Sequence, residues 1–266
     1  MAVLARAPRV ALREHVRSYY GFREDAAGPV RRREGPGADV VLVVSFGHEW
    51  DIDGARHTSF IGGLHDRQVV TEHAGTSYGM QVNLPPPAAF ALLRVPLHTL
   101  AQRTVGLADV LGRRGDELVE RLADAPSWDA RFELLDTAFA TRLADAPSPS
   151  PGVVWAYERL RATHGHVRVR ALAEELGWSR KRLADRFREQ VGVPPKTVAR
   201  MLRFERAAAL AETGMGWAEI AFACGYYDQS HLVNEFRAIT TRTPREFVRD
   251  PDSGVTFFQD GERAPS

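Results

Sequence analysis

Residues 217–247 read WAEIAFACGYYDQSHLVNEFRAITTRTPREF: a short helix, a turn built on Gly225, and a second helix opened by Asp228. The same layout occurs upstream. Leu172, Ala173, Leu176 and Gly177 align with Ile220, Ala221, Cys224 and Gly225 at an offset of 48. Ser179, Leu183, Phe187, Gly192 and Pro195 align with Asp228, Leu232, Phe236, Thr241 and Pro244 at an offset of 49. The step from one offset to the other lengthens the second turn by one residue. A lone helix-turn-helix pattern is weak, whereas two copies in register specify a tandem pair.

Ser179 and Asp228 are N-cap residue types that satisfy the free N–H groups opening each second helix. Leu183 and Phe187, like Leu232 and Phe236, lie four apart and face a core. At about 100° per residue, the opposite faces follow. The first carries Lys181, Asp185 and Arg188, flanked by Ala184; the second carries Ser230, Asn234 and Arg237, flanked by His231 and Val233. Side chains with hydrogen-bonding ends near a helix N-terminus suit base edges in the major groove. Gln229 and Asn234 match adenine, and Lys181 matches guanine. Arg180, Arg182, Arg186, Arg188 and Arg237 suit phosphates, which supply affinity without sequence information. A carboxylate is repelled by phosphate, so Asp185 either accepts from cytosine N4 or pairs with Arg182 or Arg188; the ion pair is the expectation. Any one arginine on a helix face is ordinarily solvated or in a surface pair, so only the set points to DNA.

Between the units, residues 195–213 read as one long helix with Val198, Met201, Leu202 and Ala209 on an apolar stripe. Such a rod would place two reading heads in successive major grooves, about 34 Å apart.

A length of 266 residues suggests about two domains, and 44% hydrophobic with 26% charged residues is globular composition. No apolar run approaches the ~18 residues of a membrane span, and the Arg-bearing start has no signal-peptide core. A cytoplasmic protein without membrane contact is expected. The single cysteine, Cys224, excludes an internal disulfide and a Cys-based metal cluster. The net charge of +1 hides an asymmetry: residues 150–250 hold 17 Lys+Arg against 12 Asp+Glu, and the remainder 18 against 22. A basic segment beside an acidic one fits a nucleic-acid-binding part joined to a part with another role.

The front of the chain reads as strands: a β-branched run at 39–46 (DVVLVVSF), then shorter candidates at 50–53, 59–61, 68–71 and 78–84. Short strands with Gly-rich turns suggest a sandwich or small barrel. Helices are expected at 88–93, 97–102, 114–125 and 127–143, the last capped by Ser127. Residues 146–152 (APSPSPG) have linker composition. The chain therefore divides into 1–146, a linker at 147–152, a helical domain at 153–250 and a tail at 251–266. The tail's Val255, Phe257 and Phe258 either dock back or belong to a disordered end.

Residues 153–247 resemble the DNA-binding domain of the AraC/XylS family of bacterial transcription regulators. The resemblance is carried by LAEELGWSRKRLADRFREQVGVPPK, by the Arg203-Phe204 helix with Ala207 and Leu210, and by IAFACGYYDQSHLVNEFR ending at Thr243-Pro244. It implies base-reading positions at Lys181, Ala184 and Asp185 in the first unit and at Gln229, Ser230 and Asn234 in the second. Gln229 comes from the resemblance alone, because it sits off the outward face. Thr241 stands where the family usually has glycine. A β-branched residue strains a left-handed C-cap, so this turn is expected to end differently. The front 145 residues are similar, through VVLVVSF, FIGGLH and MQVNLPPPAAF, to the family's sensor domains. That implies an α+β chain: a small cupin-like β-barrel plus helices, then an all-α domain with two helix-turn-helix units joined by a long helix. It also implies double-stranded DNA, RNA polymerase, a second copy of the chain in a homodimer, and a small-molecule effector as partners. No cofactor is implied.

Enzymatic readings are weaker. His48, His57, His65 and His73 fall singly in expected loops, without the close pair of a cupin metal site. Gly75-Thr76-Ser77-Tyr78-Gly79 matches a nucleophile elbow, but a strand follows where that motif needs a helix, so it reads as a turn. His164-Gly165-His166 reads as an interhelical loop. The rivals to a regulator with an effector are a metal-dependent barrel enzyme tethered to DNA and a front domain that only oligomerises. The two heads are expected to do unequal work: α-helical face Ser230–Asn234 suits base reading, and the face around Lys181 suits mainly the holding of phosphates.

Overall fold

The apolar run at 39–46 forms a strand covered on both faces, which is why it lacks polar alternation. Val40, Leu42 and Val44 join the main core with the helices, while Val43 joins Phe22, Trp50, Ile52, Phe60 and Val69 in a smaller one. The computed structural model describes residues 2–250 and the backbone of 253–254. Its strands are β1 (Ala2–Arg6), β2 (Ser18–Asp25), β3 (Val30–Glu34), β4 (Val40–Ser45), β5 (Trp50–Ile52), β6 (Ala55–His57), β7 (Phe60–Gly62), β8 (Val69–His73), β9 (Thr76–Leu84), β10 (Thr104–Gly106) and β11 (Ser253–Gly254). One sheet has the order β1-β2-β9-β4-β7-β10 and the other β11-β3-β8-β5-β6. Neighbours are antiparallel except for the parallel pair of β11 and β3. The small core lies between these sheets, since Phe22, Val43 and Phe60 come from the first and Trp50, Ile52 and Val69 from the second. Among the described residues no ladder joins the two, so the strands form facing open sheets rather than a closed barrel. On the outer face of the first sheet Gly21 makes room for the Trp128 ring, whose atoms would stand 2.6 and 2.9 Å from a Cβ there.

The helices are α1 (Pro86–Leu93), α2 (Leu107–Leu111), α3 (Arg113–Asp124), α4 (Trp128–Ala144), α5 (Pro151–Ala162), α6 (Val169–Glu175), α7 (Arg180–Gln190), α8 (Pro195–Glu212), α9 (Trp217–Ala223), α10 (Gln229–Thr240) and α11 (Pro244–Arg249). Ser127 caps α4 as anticipated, its Oγ accepting from the Ala130 N–H at 3.2 Å. The helix expected at 97–102 is only a single 3-10 turn, Leu97–Thr99. The Ser/Pro stretch is shorter than its composition suggests, because Pro151 already opens α5 at a position that needs no N–H donor.

One apolar core runs from Leu12 through the front helices to Tyr157, Leu172, Leu183, Phe187 and Leu202. A separate core holds Phe204, Ile220, Leu232, Phe236 and Phe247. The division falls inside α8, between Leu202 and Phe204. In the second half of that helix the buried set is Phe204, Ala207, Ala208 and Ala211, at the i, i+3, i+4, i+7 spacing of one face. Ala209, expected on the stripe, is therefore exposed.

A polar seam also crosses between the front half and the helical part. Asp39 receives Arg17 at 2.7 Å and Arg161 at 3.4 Å. The Tyr157 hydroxyl donates to the Ala38 carbonyl at 2.7 Å, and the Ala38 N–H donates to the Glu205 carboxyl at 2.7 Å. The second unit meets the front half through polar groups: the Gln68 N–H donates to the Ile239 carbonyl at 2.9 Å, and Arg200 of the first half of α8 pairs with Glu235 of α10 while lying 3.7 Å from Asp66. Val255, Phe257 and Phe258 of the tail lie outside the described residues. No helix among the described residues is long and apolar enough to cross a membrane.

Candidate nucleic-acid interface

The two helix-turn-helix units repeat bond for bond at their turns. Gly177 and Gly225 take φ of +63° and +69°, a region that favours glycine. Directly after them the Trp178 N–H donates to the Ala173 carbonyl and the Tyr226 N–H to the Ala221 carbonyl, both at 2.9 Å. The caps then match: Ser179 Oγ accepts from the Arg182 N–H at 3.1 Å and Asp228 Oδ1 from the His231 N–H at 2.7 Å. Leu183, Phe187, Leu232 and Phe236 are fully buried. With those sides fixed inward, the faces deduced from the helical period point outward.

The far ends of α7 and α10 differ. Gly192 has φ +97° and its N–H returns to the Phe187 carbonyl at 3.0 Å. Thr241 has φ +61° and its N–H returns to the Arg237 carbonyl at 2.9 Å, so α10 runs one aligned residue further. The hydrogen bond differs, as expected, but Thr241 still takes the left-handed conformation that its branched side chain disfavours.

On α7, Lys181 and Asp185 are exposed and Ala184 is half-buried. Asp185 pairs with Arg188 at 3.2 Å and also with Lys181 at 3.0 Å. Arg182, the other candidate partner, instead lies over the Trp178 ring at 4.6 Å. Arg186 pairs with Glu189 at 2.8 Å. Arg180 and Arg237 are exposed, and no described carboxylate lies within ion-pair range of either. On α10, Gln229, Ser230 and Asn234 are all exposed, and their side chains make no hydrogen bond to a described residue. The first face is thus partly neutralised by its own carboxylate, while the second presents open donors and acceptors.

Two exposed aromatics escaped sequence reasoning. Tyr227 is 93% and Phe222 86% exposed, unusual for rings of that size. Tyr227 falls in the lengthened turn, one residue before the cap of α10. The step from 48 to 49 was its only signal, since a residue inserted between fixed turn and cap has nowhere to go but outward.

Residues 172–250 match the model of a helix-turn-helix domain. The chain carries the AraC-type helix-turn-helix domain. It is similar to the HTH-type transcriptional regulator YbfI of Bacillus subtilis, at 33% identity over 93 residues, 35% of this chain and 34% of that protein. It is similar to the xylose operon regulatory protein of Escherichia coli K12, at 29% identity over 170 residues, 62% of this chain and 42% of that protein. The chain thus spans about a third to two fifths of the length of these relatives. Among solved structures, ToxT of Vibrio cholerae matches 86% of this chain and 96% of its own at 12% identity and a TM-score of 0.46.

Ahead of the AraC-type domain, the histidines are not all in loops. His73 lies in β8 and His57 ends β6. The strand pairing brings the His48 and His73 rings to 6.1 Å, with Trp50 against both. His73 Nε2 is 3.0 Å from Glu24, which also takes Arg32 at 2.7 Å; these two hold the Glu24 carboxyl down at about 2. Burial lowers His48 to about 4, so it is neutral at pH 7. Among the described residues no group of three or more His, Cys, Asp or Glu is arranged to hold a metal ion. Ser77 is buried within β9, and the turn before it holds Gly75 at φ +72°. That is a strand entry, not a nucleophile elbow. His164-Gly165-His166 is a loop between α5 and α6, where Gly165 (φ +75°) abuts the Ala199 carbonyl too closely for any Cβ.

Proposed function

We propose that this protein is a sequence-specific DNA-binding transcription regulator whose front half senses a small molecule. The observation carrying the reading is the duplicated unit with two outward faces, one of them holding open amide and hydroxyl side chains. Asn234, Ser230 and Gln229 are assigned to bases on the second unit. Lys181, Ala184 and Asp185 lie toward bases on the first, and Arg180, Arg182, Arg186, Arg188 and Arg237 toward phosphates. The cupin-like character of the front sheets, homodimerisation and contact with RNA polymerase belong to the same proposal, as does the division at 146 and 153.

The test is binding of the full chain to genomic fragments across a salt series. An Asn234→Ala change is expected to cost about 1–3 kcal/mol on the preferred fragment and to relax the preference at one base. A chain that binds all fragments alike, or none in a salt-dependent way, would remove the proposal.

A further inference from the structure

The open side of the two facing sheets contains a cavity of about 60 Å³. Its apolar wall is Val41, Ile52, Phe60 and Val69, and its polar groups include Glu34, His65 and Asp39. Among the described residues no lysine or arginine lines it. Glu34 ends β3 and is 6% exposed, yet no described residue donates to its carboxyl or pairs with it. Among the described residues neither ring nitrogen of His65 has a partner in hydrogen-bond geometry, although both are buried; the nearby Arg103 backbone opposes the lowering that burial imposes on the ring. The cations that act on these groups are engaged elsewhere, Arg32 with Glu24 and Arg67 with Asp53 at 3.4 Å. Asp39 is already held by Arg17 and Arg161.

A carboxyl and an imidazole without described partners, in a cavity with a largely apolar wall, are costly unless an occupant completes them. Glu34 accepts once it is ionised, and neutral His65 accepts through one nitrogen and donates through the other. A donor serves both acceptors, and with no described cation in the wall a positively charged one also balances the Glu34 carboxylate. At roughly one heavy atom per 10–15 Å³ of such space, about four to six heavy atoms fit. Resting on the reading that the front half senses a small molecule, we infer that this cavity is a binding site for a small organic cation, a primary ammonium on a short apolar body. The ammonium donates to Glu34 and His65, and the alkyl part lies on Val41, Ile52, Phe60 and Val69.

The site is joined to the AraC-type domain by its own wall. Gly35, Pro36 and Gly37 line it, and the next residues, Ala38 and Asp39, hold Glu205, Tyr157 and Arg161 of the helical part. An occupant is thus placed one loop away from the seam between sensor and reading heads.

Burial raises the empty Glu34 carboxyl to about 7. Pairing with an ammonium ionises it, so binding near pH 6 releases close to one proton from Glu34 to the buffer and binding near pH 8.5 releases almost none. The experiment is calorimetric titration of the full chain with propylamine and butylamine in buffers of different ionisation heat. Propan-1-ol and propionate serve as size-matched controls. The expected result is low-millimolar binding of the amines only, with that proton release. Glu34→Gln should weaken it at least tenfold; should that variant fail to fold, the proton count of the unaltered chain decides. Amine binding without proton release near pH 6, equal binding of the alcohol, or no amine binding would overturn the assignment. DNA affinity of the same samples is read separately, so loss of this site leaves the regulator reading standing.

Discussion

Asp185→Asn separates the two roles open to the first reading head. In the free chain Asp185 neutralises Lys181 and Arg188, but these are surface pairs with side chains about half or more exposed. Each contributes at most about 1 kcal/mol, so the substitution should leave the unfolding midpoint almost unchanged. On DNA the balance reverses. A carboxylate ~8 Å from a phosphate costs about 0.5 kcal/mol in water-like surroundings, and releasing two cations lets up to two more phosphates be neutralised. Affinity should rise about three- to tenfold near 0.1 M salt. The slope of log K against log salt should steepen by about 0.9 for each new phosphate contact. Fluorescence anisotropy over a salt series, on preferred and unrelated duplexes, reads both quantities. If Asp185 accepts from cytosine N4 instead, the variant loses affinity on the preferred duplex alone, and the ion-pair argument fails. An unchanged slope on both duplexes would mean that α7 does not face the backbone at all.

Thr241→Gly should stabilise the chain by about 1 kcal/mol in urea titration, because it relieves a branched side chain at φ +61°. The converse, Gly192→Thr, combines the left-handed strain with a Cβ 3.0 Å from the Leu97 carbonyl and should cost ~2 kcal/mol or more. If both changes are neutral, the left-handed conformation at these two positions is wrong. Burial raises Glu34 and Glu205 to about 7, with Arg161 and Arg17 opposing the rise at Glu205 and Asp39 adding to it. The folded chain therefore binds protons that the unfolded one has lost. Stability should fall as pH rises from about 4.5 to 7 and level off above, by up to ~3 kcal/mol per group. Glu205→Gln keeps an acceptor for the Ala38 N–H and should remove about half of that fall; urea midpoints between pH 5 and 8 that decline just as steeply would refute it.

The helical part was legible because its turns, caps and buried pairs recur at fixed spacing, each placed by local chemistry. Ser127, Ser179 and Asp228 cap helices for the same reason. What stayed hidden depends on pairing across the chain. In β3, VRRRE offers no apolar alternation, because Arg32 is turned to Glu24 rather than to water. His48 and His73 meet only once β5 and β8 are side by side. Ala209 continued a stripe that is uniform in sequence, yet α8 passes from one core to another and turns a different set inward. Of the reading faces, the period placed the residues but not their pairings, since Lys181 reaching Asp185 depends on which rotamers the helix surface permits.

The division of α8 between Leu202 and Phe204 bears on how the helical part can be moved by gene fusion. The Ser/Pro stretch before Pro151 invites a cut there to join a foreign front domain. Yet the first unit shares its apolar interior with the front half, and Gly192 rests against Leu97. A graft cut there would strip one wall from the first unit and leave the second intact. A working chimera has to carry over the surface around Leu97, or supply its equivalent, so the portable module begins earlier in space than it does in sequence.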